Sequence, residues 1–233
     1  MAAMTAPRRT DEDHATAERL STPGPASGLL EGQVAVVTGG AAGIGGGCSR
    51  RLALAGATVV VNDIEPALLE KAVAEIESAG GSAVAVVGDI REAHTVEALM
   101  RRTSAVADGR IDVLVNNVGD YRPNGRFLKT GPDEWAALYA LNFEHVLRTT
   151  RAIAPAMVGA GRGSIVNVST VEAFRGIPAN AVYSAFNAAV NAFTRSLGGN
   201  GKREMMVNDN NARPNSIRFT TIIRGRWRAG TTC

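Results

Sequence analysis

The chain has 233 residues, 45% of them apolar and 20% charged, with a net charge of +3 and two cysteines, Cys48 and Cys233. That length supports one substantial hydrophobic core, and no apolar run approaches the roughly 18 residues a membrane helix needs. Two cysteines so far apart exclude a disulfide scaffold and point to a reducing, cytoplasmic setting. In chain order, residues 1–30 mix Arg8, Arg9, Asp11, Glu12 and Asp13 with Pro, Thr and Ser, and read as a disordered tail rather than a signal peptide. An apolar run over 33–37 predicts a buried strand, followed by a glycine-rich turn at 38–45 and a helix over 48–55. A second strand over 58–61 ends in Asn62-Asp63, and an amphipathic helix over 66–79 stops at Gly80-Gly81. A strand over 82–87 runs into Gly88-Asp89-Ile90, a helix spans 92–107, and a fourth strand over 111–115 runs into Asn116-Asn117-Val118-Gly119. A long helix over 132–158, with a break near Leu138, precedes a fifth strand over 164–168 and a helix over 181–197. The rest, 198–233, is an atypical basic end, with seven of the 25 Lys and Arg against two of the 22 acidic residues. Its only aromatic residues are Phe219 and Trp227, too few to interleave with the charge as nucleic-acid binding requires. Within that end, 216–223 is the one candidate strand, placed to take a sixth sheet position.

Strands rich in Val and Ile, alternating with helices, predict an α/β fold with a doubly wound parallel sheet covered on both faces. In such a sheet the ligand lies at the carboxyl ends of the strands, where every motif above falls. The turn Thr38-Gly39-Gly40-Ala41-Ala42-Gly43-Ile44-Gly45 sits between a strand and a helix. Its glycines allow a tight turn and close backbone approach, and the helix start offers N–H groups to an anion. Asp63 stands 18 positions past Gly45, where a carboxylate holds a ribose diol. These residues predict a nicotinamide-dinucleotide domain. His14, His94 and His145 show no metal-ligand spacing, and no Gly-x-Ser-x-Gly elbow is present. Asn167-Val168-Ser169 is a formal glycosylation triplet inside a predicted buried strand.

With these pieces together, residues 31–197 resemble the short-chain dehydrogenase/reductase family. The resemblance rests on the turn at 38–45, Asp63, Asp89-Ile90, Asn116-Asn117-Val118-Gly119, Asn142 and the segment beginning at Tyr183. It implies a Rossmann-type fold and hydride transfer between NAD and a secondary alcohol or ketone, a small-molecule substrate. Gly39, Gly43, Ile44 and Gly45 would cradle the cofactor, and Asp63 would select NAD over NADP by repelling a 2′-phosphate. Asp89 and Ile90 match the adenine contact, and Asn117, Val118 and Gly119 the stretch beneath the cofactor. Tyr183 matches the general acid/base, Asn142 the member of the proton relay, and Thr170 the hydroxyl that holds the substrate oxygen, with Ser169 the fallback one residue earlier. The resemblance also implies a homo-oligomer formed through the helices at 132–158 and 181–197.

Two departures qualify these expectations. The family's lysine, four residues after the tyrosine, is Asn187 here. Asn187 is able to bond a ribose hydroxyl but supplies no charge, so Tyr183, ordinarily titrating near ~10, loses the cation that would make it a better base at neutral pH. After Leu197 the family's substrate-covering lid and seventh strand find no counterpart. The rival expectation is therefore a protein that binds NAD with little or no turnover.

Overall fold

The computed structural model describes residues 28–198 and 216–224. The predicted tail lies, up to residue 27, outside the described residues, as do 199–215 and 225–233 of the basic end. Six strands form one wholly parallel sheet: β1 Val34–Thr38, β2 Thr58–Asp63, β3 Ser82–Val87, β4 Val113–Asn116, β5 Arg162–Thr170 and β6 Ser216–Arg224. Their order is β3-β2-β1-β4-β5-β6. The candidate strand near the end of the chain does take the sixth position, with Ser216 opposite Arg162 and Arg224 opposite Thr170.

The helices are α1 Gly43–Leu54, α2 Pro66–Ser78, α3 Ala93–Ala107, α4 Pro132–Tyr139, α5 His145–Ala160 and α6 Ala181–Gly198. They cover both sheet faces because successive strand residues point to opposite sides. On β1, Val34 and Val36 pack with Val96 and Leu99 of α3 and Ile153 and Met157 of α5. Ala35 and Val37 pack on the other side with Ala53 of α1 and Leu69, Ala72 and Ile76 of α2. Chain order reverses between β1 and β4, which opens a crevice at their carboxyl ends.

Three of the differences from expectation bear on the site. Helix α1 begins at Gly43 rather than at 48, because the glycines form its first turn instead of preceding it. Strand β5 runs to Thr170 rather than ending at 168, which brings Ser169 and Thr170 onto the strand's carboxyl end. The long helix does not simply break near Leu138. It widens into a π-helical stretch, Ala140–Glu144, that carries Asn142. Such bulges occur mostly as single turns inside α-helices and frequently mark functional sites. Asn167 is fully buried, which rules out the glycosylation triplet as an acceptor in the folded chain.

Candidate active site

The first part of the site is built mainly from backbone. Gly39 and Gly43 have φ of +59° and +57°, a left-handed conformation that side-chain-bearing residues rarely adopt. A Cβ on Gly45 would lie 2.1 Å from the Gly39 carbonyl oxygen and 2.5 Å from the Asn117 amide nitrogen, so this close packing admits no side chain. A Cβ on Gly43 would meet nothing within 4 Å, leaving open space in front of the α1 N-terminus. Ala42, the residue capping α1, makes no side-chain bond to the helix's first amides, and no acidic residue lies in the first turn. Those N–H groups and the positive end of the helix dipole are thus available to an anion.

Asn117 ties this turn to β4. Its Nδ2 donates to the carbonyls of Thr38 at 3.2 Å and Gly39 at 3.0 Å, and its main-chain N–H donates to Thr38 Oγ1 at 3.1 Å. Asp63 Oδ2 accepts from the Ala41 N–H at 3.1 Å and Oδ1 from the Glu65 N–H at 3.3 Å, which fixes the carboxylate beside the turn. A cleft of about 120 Å³ runs past Gly39, Asp63, Asp89, Ile90, Val118 and Leu141. Arg91 lines the same cleft and is a residue that sequence reading missed. Its Nε and Nη2 grip both Asp89 oxygens, and this hydrogen-bonded guanidinium holds the Asp89 carboxyl below its ordinary range. Ile44, expected at the cofactor, is an exposed side chain on the first turn of α1.

The second part is built from side chains held to neighbouring main chain. Asn142 Nδ2 donates to the carbonyls of Asp120 at 2.9 Å and Leu138 at 3.0 Å, and its Oδ1 accepts from the Asp120 N–H at 3.2 Å. The next residue, Tyr121, sets its ring edge-on to that of Tyr183, with centroids 6.5 Å apart. Tyr183 is buried near the start of α6. One turn on, Asn187 is also buried, and its Nδ2 donates to the Tyr183 carbonyl at 3.1 Å. The Asn187 carbonyl in turn accepts from Ser169 Oγ at 3.1 Å. Ser169 thus spends its one hydroxyl proton inside the protein. Thr170 Oγ1 accepts from the Glu172 N–H at 3.3 Å, which leaves its own proton to donate. Between the fallback pair, this geometry favours Thr170 over Ser169.

Asn187 is turned back along its own helix, so a ribose hydroxyl would have to use the second N–H or the oxygen of its amide. No lysine lies on α6. The two parts of the site join where Val118 and Leu141 line the same cleft. His145 is buried close by, immediately after the π stretch. Burial pushes its pKa down to about 4, while the main chain of Val118 and Leu141 pulls the other way. Neither ring nitrogen has a partner in full hydrogen-bond geometry among the described residues. Cys48 sits on α1, where burial raises its pKa, opposite to the lowering expected of a reactive thiol at a helix N-terminus. Among the described residues no group of three His, Cys, Asp or Glu is placed to hold a metal, and no helix is long and apolar enough to cross a membrane.

Comparison with known proteins gives a consistent result. A family profile described as short chain dehydrogenase matches residues 33–229. The chain is 38% identical over 169 residues to a 3-oxoacyl-[acyl-carrier-protein] reductase of Synechocystis sp., covering 72% of this chain and 68% of that protein. It is 34% identical over 171 residues to the 2,3-dihydro-2,3-dihydroxybenzoate dehydrogenase of Bacillus subtilis, covering 72% of this chain and 64% of that one. The matched region therefore spans about two thirds of these relatives' length. Among solved structures, a metagenomic short-chain oxidoreductase in complex with NADP superposes with a TM-score of 0.74 at 34% identity, over 86% of this chain and 85% of that one.

Proposed function

The chain belongs to the short-chain dehydrogenase/reductase family of oxidoreductases, and from that premise we propose that it transfers a hydride between NAD and a secondary alcohol or ketone. The observation that carries the reading is the continuity of the cleft. The open space at Gly43 and the uncapped start of α1 fit a pyrophosphate, and the cleft that begins at Gly39 leads past Asp63 to Val118 and to Leu141, the neighbour of Asn142 in the chain. A bound nicotinamide dinucleotide supplies the hydride donor or acceptor.

The chain's own residues do the rest. Asp63 offers a carboxylate to a ribose diol and repels a phosphate at the same place, which supports NAD over NADP. Asp89 and Ile90 wall the adenine end, and Asn117, Val118 and Gly119 form the floor. Thr170 donates a hydrogen bond to the substrate oxygen while the Tyr183 hydroxyl takes or returns that oxygen's proton. Asn142 holds Asp120 and the loop beyond it in register with Tyr183. Asn187 supports the Tyr183 backbone without supplying charge. This last point favours a second reading, in which the chain holds NAD but turns over slowly.

The aromatic cluster of Tyr139, Phe143, Phe186 and Phe193 packs α4 and the π stretch against α6 within one chain, and a homo-oligomer through these helices rests on the family resemblance. The two separated cysteines support a cytoplasmic setting. Calorimetric titration with NAD and NADP, followed by spectrophotometric NADH production from secondary alcohols, tests the proposal. NAD is expected to bind at least about tenfold more tightly than NADP, a difference of ~1.4 kcal/mol. NADH production is expected to disappear in Tyr183→Phe. Binding of neither nucleotide sinks the reading, and tight binding with no turnover selects the second one.

A further inference from the structure

The loop after β3, residues 88–91, forms one wall of the cofactor cleft, and Leu141 of the π stretch borders the same cleft. On its β2 side this loop is fastened by main chain and by one amide. The Gly88 N–H donates to the Asp63 carbonyl at 3.0 Å, and Asn62 Nδ2 donates to the carbonyls of Val86 and Gly88, each at 3.0 Å. Ile90 is buried in the core, whereas Arg91 at the outer end of the loop is exposed. Arg91 stiffens the wall itself: its main-chain N–H donates to Asp89 Oδ1 at 3.0 Å, and its side chain grips both oxygens of that carboxylate.

The outer end is held from the opposite side by Arg148, one turn into α5. Its Nη1 donates to the Arg91 carbonyl, and its Nη2 donates to Glu144 Oε1 at 2.7 Å. Glu144 is the last residue of the π stretch that carries Leu141 and Asn142. One guanidinium therefore bridges the two sides of the cleft, and its rigid fork suits two acceptors held at a fixed separation. Among the described residues no other hydrogen bond joins 88–91 to the π stretch or to α5. The Arg148 and Glu144 side chains are 34% and 38% exposed, so their ion pair contributes little to folding by itself. Its placement matters more than its strength.

Resting on the dinucleotide reading above, we infer that Arg148 is a positioning residue for the cofactor. Clamped to Glu144, it holds the 88–91 wall at a set distance from Leu141 and so sets the affinity for the adenosine half of NAD. Arg148 acts through the Arg91 main chain, without touching the nucleotide.

The test is calorimetric titration of the full chain with NAD and with ADP-ribose, which lacks the nicotinamide. Arg148→Leu should weaken both by the same factor, about fivefold, as when a charge-assisted hydrogen bond is given up. Glu144→Leu should give the same loss, and the double variant no more than either single one, because the two residues act as one clamp. Glu144→Gln, which keeps an acceptor for Arg148, should retain most of the affinity. In turnover the loss should fall on KM for NAD rather than on kcat. Denaturant unfolding of each variant separates a loss of positioning from a loss of fold. Unchanged NAD affinity in Arg148→Leu, a loss for NAD that ADP-ribose does not share, or losses at the two positions that add, overturns the inference. An affinity that falls only where the folded signal falls with it also overturns it, and if Arg148→Leu does not fold, Glu144→Leu carries the same reading. A native chain that binds neither NAD nor ADP-ribose is a separate result, which removes the dinucleotide reading of the site and this inference with it.

Discussion

The Gly39–Gly45 turn offers backbone to the proposed cofactor, whereas the region around Tyr183 offers individual side-chain atoms to the proposed reaction. On the first side, function depends on groups that are missing: no Cβ at Gly45, no capping side chain at Ala42, nothing in front of Gly43. On the second, the proposed chemistry depends on what is present at single positions, where Asn187 stands in place of the family's lysine. Asn187 is buried and hydrogen-bonded within α6. The contrast teaches that a turn built from backbone tolerates little change, whereas a single side chain such as Asn187 can differ from the family's lysine and still be buried and bonded.

Three changes break or sharpen that contrast, beginning with the largest. Gly45→Ala places a methyl 2.1 Å from a carbonyl oxygen that cannot swing aside. It is expected to cost about 4 kcal/mol of stability in denaturant unfolding and to abolish NAD binding, because the turn itself must move. Near-normal NAD affinity in that variant would mean the close packing of the turn is not what shapes the site.

His145, lying where the two sides meet, comes next. Its pKa of about 4 in the folded chain is below the ~6.5 of an unfolded histidine, so the unfolded chain binds the extra proton first. The stability contributed by the neutral ring is fully present above about pH 6.5, falls as the pH drops towards 4, and levels off below. The total loss is on the order of 3 kcal/mol. Unfolding measured across that window should show the slope in the native chain and a flatter profile in His145→Asn.

The smallest effect is expected of Asn187→Lys. A cation below Tyr183 lowers the hydroxyl's pKa, which should raise turnover near neutral pH about tenfold and move the pH optimum down. NAD affinity should change by less than that factor. If affinity and turnover move together, the division between a binding side and an acting side fails.

Much of the fold was legible because its signals are local. Alternating Val-rich strands and amphipathic helices, with Gly-Gly or Asp-Gly at their ends, placed five strands and the order of helices to within a few residues. The glycine spacing, Asp63 and Asn117 were readable for the same reason, since backbone geometry imposes residue types at short range. The start of α1 was misplaced because propensity treats a glycine run as a turn, whereas close packing against Gly39 and Asn117 admits it as helix.

Thus the sequence by itself determined the parallel α/β architecture, the dinucleotide turn and the spacing of Asn142, Thr170, Tyr183 and Asn187. Only the tertiary structure decided that Ser169 is spent on Asn187 while Thr170 keeps its proton, that Arg91 grips Asp89, and that Asn142 rides on a π stretch. The physical reason is range. Strand and helix periodicity and glycine's conformational freedom act within a few residues, whereas which hydroxyl is engaged and which carboxylate is gripped depend on side chains that meet only after the sheet has assembled.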